Sequence, residues 1–158
     1  LVARRLRAHA TAQRQASLDP PSPRVPWART AGAGQWVART GASTAATVVV
    51  LVPGVGTTRE DRGELSLDAA RVWERLAVEA GRSGGGQDDV AVVSWLGYDP
   101  PDHLLAGVAR RPAELGGASL AAQVATLRAG GARRVVVVGH SYGGLVAVRG
   151  AADGIDGT

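Results

Sequence analysis

Three short β-branched apolar runs, each followed after a polar break by a helical pattern, limit the possible folds of this chain more than any other feature. The runs are Thr47-Val48-Val49-Val50-Leu51-Val52, Val90-Ala91-Val92-Val93-Ser94-Trp95 and Arg134-Val135-Val136-Val137-Val138-Gly139. They are apolar on successive rather than alternate residues, which suits strands buried on both faces. After the first, a helix is predicted from Leu67 to about Ala80, with Ser66 as N-cap and Leu67, Ala70, Val72, Trp73, Leu76 and Ala77 as its apolar stripe. Gly81 to Asp89 breaks it. A second helix is predicted over Leu120 to Ala129, capped by Ser119, and a third opens at Leu145-Val146-Ala147-Val148. This alternation predicts an α/β fold: a parallel sheet with flanking helices and right-handed crossovers. In such sheets functional loops gather at the carboxyl ends of the strands. Pro53 to Arg59, Leu96 to His103 and the turn after Gly139 should therefore meet on one rim.

That last turn is Gly139-His140-Ser141-Tyr142-Gly143. A strand running through G-x-S-x-G into a helix is the layout that exposes a nucleophilic serine at a strained tip, with glycines on either side letting strand and helix approach. With 22 glycines in 158 residues, the bare spacing is expected by chance about 0.15 times. It occurs twice. The other match, Gly81-Arg82-Ser83-Gly84-Gly85, follows a helix and runs into Gly86-Gln87-Asp88-Asp89, so it reads as a loop. Context therefore selects Ser141, and the competing reading is an ordinary tight turn carrying a surface serine.

A serine hydroxyl is a weak nucleophile, so acyl transfer also needs a base, a group that orients it, and donors for the oxyanion. The backbone N–H of Tyr142 is the expected donor beside the nucleophile, and a second should come from the loop after an earlier strand. Here that loop is Pro53-Gly54-Val55-Gly56-Thr57-Thr58, and the N–H of Val55 or Gly54 is the candidate. A plain tight turn explains its glycines equally well. His140 adjoins Ser141 but should point away from it on a strained elbow, whereas His103 lies on the rim and could reach the site. His9 reads as a surface residue. Tyr98, Asp99 and His103 are candidates for lining the substrate, while Trp95 is explained by core packing as readily as by a ligand wall.

Composition excludes other chemistries. The absence of cysteine removes disulfides, thiolate metal sites and a cysteine nucleophile. No lysine is present, so Gly54-Val55-Gly56-Thr57-Thr58 is no Walker loop, and Gly139 to Gly144 lacks dinucleotide spacing. No paired histidines suggest a metal, and no cofactor is implied. All 18 basic residues are arginine, and with so much Ala, Gly and Val this points to coding bias rather than to a ligand. The arginines are scattered and not interleaved with aromatics, which argues against nucleic acid as a partner despite a net charge of +4. No apolar run approaches bilayer-spanning length, and no apolar core follows Arg4, Arg5 and Arg7. A cytoplasmic location is favoured on that basis, a small-molecule or acyl compound is the expected partner, and oligomeric state is not legible.

Residues 1–18 read as a helical tail of an upstream region. Residues 19–46 read as a Pro/Gly-rich linker, because four prolines between Pro20 and Pro26 remove backbone donors. Trp27 and Trp36 within it read as lids on a core. The domain proper is predicted to occupy residues 47–158.

Three motifs in this order, Val52-Pro53-Gly54-Val55-Gly56-Thr57-Thr58, Trp95-Leu96-Gly97-Tyr98-Asp99-Pro100-Pro101 and Val138-Gly139-His140-Ser141-Tyr142-Gly143, resemble the α/β-hydrolase superfamily, and more narrowly an uncharacterised bacterial α/β-hydrolase family. The resemblance implies that the first strand lies between the other two, which sets Gly54 beside Ser141. It also implies a partial α/β-hydrolase fold lacking its C-terminal strands, with the triad acid and base expected beyond residue 158. Asp153 and Asp156 are poor candidates for the acid. On this reading 47–158 is the N-terminal part of the domain, its last strand an exposed, aggregation-prone edge. The full-length protein would be a serine hydrolase of ester or amide bonds, inactive as this fragment. The alternative is a non-catalytic binding module of the same fold.

Overall fold

The structure, a computed structural model, describes residues 36–102 and 110–152. The expected helical tail, most of the linker stretch with Trp27, and His9, His103, Asp153 and Asp156 lie outside the described residues.

Four strands, β1 (Trp36–Gly41), β2 (Thr47–Val52), β3 (Val90–Leu96) and β4 (Arg134–Gly139), form one sheet in the order β1-β3-β2-β4. The helices are α1 (Arg62–Arg82), α2 (Arg110–Ala129) and α3 (Tyr142–Gly150). β2 runs parallel to both neighbours, with Thr47 opposite Val90 on one side and Arg134 on the other. It thus lies between β3 and β4. Its alternate residues serve two cores: Val48, Val50 and Val52 face one with Leu120, Val124 and Val146, while Val49 faces a smaller one with Ala69 and Val92 beneath α1. Burial on both faces is why β2 and β3 carry valine at successive positions. Each fully buried valine contributes roughly 1.5–3 kcal/mol of transfer free energy, and all of β3 is buried. Its one polar side chain, Ser94, donates from its hydroxyl to the Leu65 carbonyl at 2.8 Å.

Four elements differ from the sequence expectation. β4, whose continuous apolar run suits burial on both faces, is an edge strand and only part-buried, with Val138 49% exposed. β1 lies inside the stretch read as linker and pairs antiparallel with β3, from Trp36 opposite Leu96 to Gly41 opposite Ala91, so the sheet is mixed. It is an edge strand, mostly half-buried, so it needs no continuous apolar run and shows none. The helix expected from Leu67 begins at Arg62, and its N-cap is Asp61 rather than Ser66. The Asp61 carboxylate accepts the Thr58 backbone N–H at 2.8 Å and the Thr58 hydroxyl at 3.1 Å, which ties down the 3-10 turn Arg59–Asp61 ahead of the helix. Finally, α2 begins at Arg110 rather than Leu120. Pro112 is tolerated in its first turn, where backbone N–H groups lack intrahelical partners. Gly116 and Gly117 look like breakers but sit where helices meet: a Cβ on Gly117 would lie 2.7 Å from the Arg149 Cβ and 2.8 Å from the Gly150 nitrogen of α3. Their low helix propensity is offset by that close approach.

Candidate active site

The rim at the carboxyl ends of β2, β3 and β4 is tied together through backbone groups. Gly139 ends β4 opposite Val52, and the next residue extends the ladder, His140 N–H donating to the Val52 carbonyl at 2.9 Å. The chain then reverses. Gly143 N–H donates to the His140 carbonyl at 2.9 Å, closing a four-residue turn in which Ser141 is the first central residue. Its φ of 54° and ψ of −121° are those of the first central position of a type II′ turn, a place normally held by glycine. Among the described residues Ser141 is the sole non-glycine with positive φ. Ser83, at the other G-x-S-x-G, has an ordinary φ of −87° and ψ of 8° at the end of α1. Backbone conformation thus separates two serines that the bare motif does not.

The flanking glycines are required by contact. A Cβ on Gly139 would overlap the Gly143 carbonyl, and one on Gly143 would overlap the Val52 and Pro53 carbonyl oxygens. Such overlaps can be relieved only by moving backbone. α3 therefore starts pressed against the end of β2, and Ser141 is left exposed at the tip.

Gly54 is buried against that tip. A Cβ there would sit 2.8 Å from the Ser141 Cβ, 2.9 Å from the His140 carbonyl oxygen and 3.3 Å from Ser141 Oγ. Val55 follows, half-buried, and Gly56 N–H donates to the Pro101 carbonyl at 2.8 Å. From the third loop, the Tyr98 hydroxyl donates to the Pro53 carbonyl at 2.5 Å. The Tyr98 ring stacks between Trp95 and Tyr142, 6.1 Å from each by ring centroids.

The other candidates are placed as follows. His140 is exposed beside Ser141, with its backbone committed on both sides. Tyr98 is only 6% exposed. Asp99 is exposed, and the two border a shallow cleft of about 340 Å³ that Arg111 and Leu115 also line, without Ser141. Trp95 is buried in the main core. The Pro53 and Pro101 carbonyls were missed by sequence reasoning, and nothing could have flagged them, since every residue carries a carbonyl. Among the described residues no cluster of acidic, histidine or cysteine side chains could hold a metal, and no helix is long and apolar enough to cross a membrane.

Burial pushes the Tyr98 phenol well above the usual tyrosine range, and the neighbouring Tyr142 acts in the same direction. Its proton therefore stays in place to donate. An unfolded tyrosine ionises near pH ~10, so the stabilisation is complete below that pH and is lost as pH rises through and beyond it. The melting temperature should accordingly fall above about pH 10, and less steeply in Tyr98→Phe; equal slopes in a pH series of thermal melts would contradict this.

A central parallel β2, a strained serine between β4 and α3, and a glycine loop against that serine together define the α/β-hydrolase architecture. The chain belongs to the alpha/beta hydrolase family, whose family model matches residues 31–156. The match takes in β1 and so reaches into the stretch that composition alone reads as linker. No curated protein and no solved structure matches the chain.

Proposed function

We propose that the complete gene product is a serine hydrolase that cleaves an ester or amide bond of a small-molecule or acyl substrate through an acyl-enzyme, with Ser141 as nucleophile. The observation that carries this reading is the backbone of Ser141, a serine held where glycine belongs, exposed and facing a glycine loop. Strain of this kind costs about 1–3 kcal/mol and persists where the surroundings over-determine it, commonly at functional sites.

In the proposed reaction Ser141 Oγ attacks the acyl carbon, its proton passes to a general base, and the carbonyl oxygen becomes an oxyanion. The N–H of Tyr142 and that of Val55 or Gly54 receive the oxyanion. Collapse breaks the bond to the alcohol or amine, which leaves with the proton held by the base. Water then gives its proton to the base and attacks the acyl-enzyme, releasing the acid and the serine hydroxyl. The second donor must come from the β2 loop, and that loop lies within van der Waals distance of Ser141. Among the described residues the only histidine is His140, and no acid–base pair is assigned.

The test is to treat the product of the whole open reading frame with a fluorophosphonate probe and map the adduct by mass spectrometry. A phosphonyl adduct on the peptide containing Ser141 is expected. Labelling of another residue would overturn the assignment of Ser141, and no labelling in a folded protein would leave the non-catalytic binding module as the better reading.

A further inference from the structure

We propose that Tyr98 is a positioning residue for the oxyanion site, its hydroxyl fixing the Pro53 carbonyl and thereby the Gly54 and Val55 amides against Ser141. The inference rests on the reading of Ser141 and the β2 loop given above.

Tyr98 follows β3 by two residues and is held on several sides. Its ring lies between Trp95 and Tyr142, with interplanar angles of 22° to each. Behind it, a Cβ added to Gly116 of α2 would come within 3.1 Å of the Tyr98 Cβ, so the glycine lets the tyrosine seat closely. A ring so packed keeps one rotamer, and its hydroxyl has one described acceptor, the Pro53 carbonyl, 45 residues earlier in the chain. Proline has no N–H, so Pro53 can be tied to its surroundings by hydrogen bonding only through that carbonyl.

The second tie comes from the same loop, the Gly56 N–H donating to the Pro101 carbonyl at 2.8 Å. The two bonds bracket Gly54 and Val55 from either side, and in each the partner lies in the segment after β3, a donor at Tyr98 and an acceptor at Pro101. Tyr98 also touches the other half of the site, because its ring stacks on that of Tyr142, the residue after the nucleophile. One buried side chain thus spans both proposed donor segments. An oxyanion donor works only when it is held within a few tenths of an ångström of the developing charge, so a group that fixes the loop acts on turnover without touching substrate.

The experiment uses the complete protein, with a fluorophosphonate and p-nitrophenyl acetate as probes. Tyr98→Phe keeps the ring and its stacking and removes only the hydroxyl. The fluorophosphonate labelling rate and kcat are expected to fall about 10- to 100-fold, with KM changed by less than about twofold. Val93→Ala, a core truncation on β3 away from the rim, calibrates stability: it should melt lower yet label at the wild-type rate below its melting temperature. Gly116→Ala provides a second route, crowding Tyr98 while keeping its hydroxyl, and should lower the labelling rate in the same sense. Tyr98→Phe and Gly116→Ala proteins that melt lower but label at the wild-type rate would reduce Tyr98 to a packing residue and overturn the proposal. Labelling that survives Ser141→Ala would instead overturn the nucleophile assignment, and this inference with it.

Discussion

Ser141→Gly is expected to abolish turnover and raise stability in one step, whereas Ser141→Ala should abolish turnover without the gain. Loss of the hydroxyl removes the proposed attacking atom in both, and losses of about 10⁴- to 10⁶-fold in kcat are typical of removing a nucleophile. The stability difference comes from the backbone. At φ 54° and ψ −121° any Cβ is strained, and alanine keeps the Cβ that glycine lacks. Relief of about 1–3 kcal/mol is partly offset by the larger entropy that glycine loses on folding, about 0.5–1 kcal/mol. The net expectation is a gain near ~1 kcal/mol for glycine over alanine, measurable by urea unfolding. If glycine and alanine variants unfold alike, the strain does not reside at this residue.

The largest loss of stability is expected two residues further on, and its sign should reverse between adjacent glycines. Gly143→Ala places a methyl group into the Val52 and Pro53 carbonyl oxygens. These are backbone atoms of the central strand and its exit, so no rotamer change can relieve the overlap. Overpacking usually costs about 1–3 kcal/mol, and the upper end or beyond is expected here. At Gly144 the same substitution meets nothing nearer than the Gly139 carbonyl oxygen at 3.8 Å. Within α3 that replacement should stabilise by about 0.5–1 kcal/mol, the ordinary helix-propensity gain of alanine over glycine. Urea melts of the two single variants decide the matter: two losses of similar size would mean that general crowding, not the specific contact at Gly143, governs this turn.

β2 and β3 are legible in the chain because burial on both faces leaves a strong trace, whereas β4, an edge strand with Val138 49% exposed, is legible from its run of valines alone. β2 and β4 fall on their apolar runs, and β3 extends its run by one residue, Leu96. The elbow is legible because two glycines required by contact and one strained serine must share five positions. β1 is not, since it carries no apolar run and its composition resembles that of the linker stretch before it. The first half of α2 is hidden for a different reason. Gly116 and Gly117 are chosen by what lies across from them on Tyr98, Val146 and α3, and local propensity cannot report a partner distant in sequence. The bond from the Tyr98 hydroxyl to the Pro53 carbonyl is hidden on the same ground, since its partner lies 45 residues earlier in the chain.

The central place of β2 also bears on when the serine becomes usable. β2 precedes both its neighbours in the chain, and its pairing with β4 comes only after the whole of α1, β3 and α2 has been made. Until that pairing, His140 lacks the Val52 carbonyl that anchors the turn to the sheet. Long-range parallel pairings of this kind are slow to form. A nascent or partly unfolded chain is therefore expected to carry an inert serine, with reactivity arising together with the final strand contact, an order that probe labelling during refolding would time against tryptophan fluorescence.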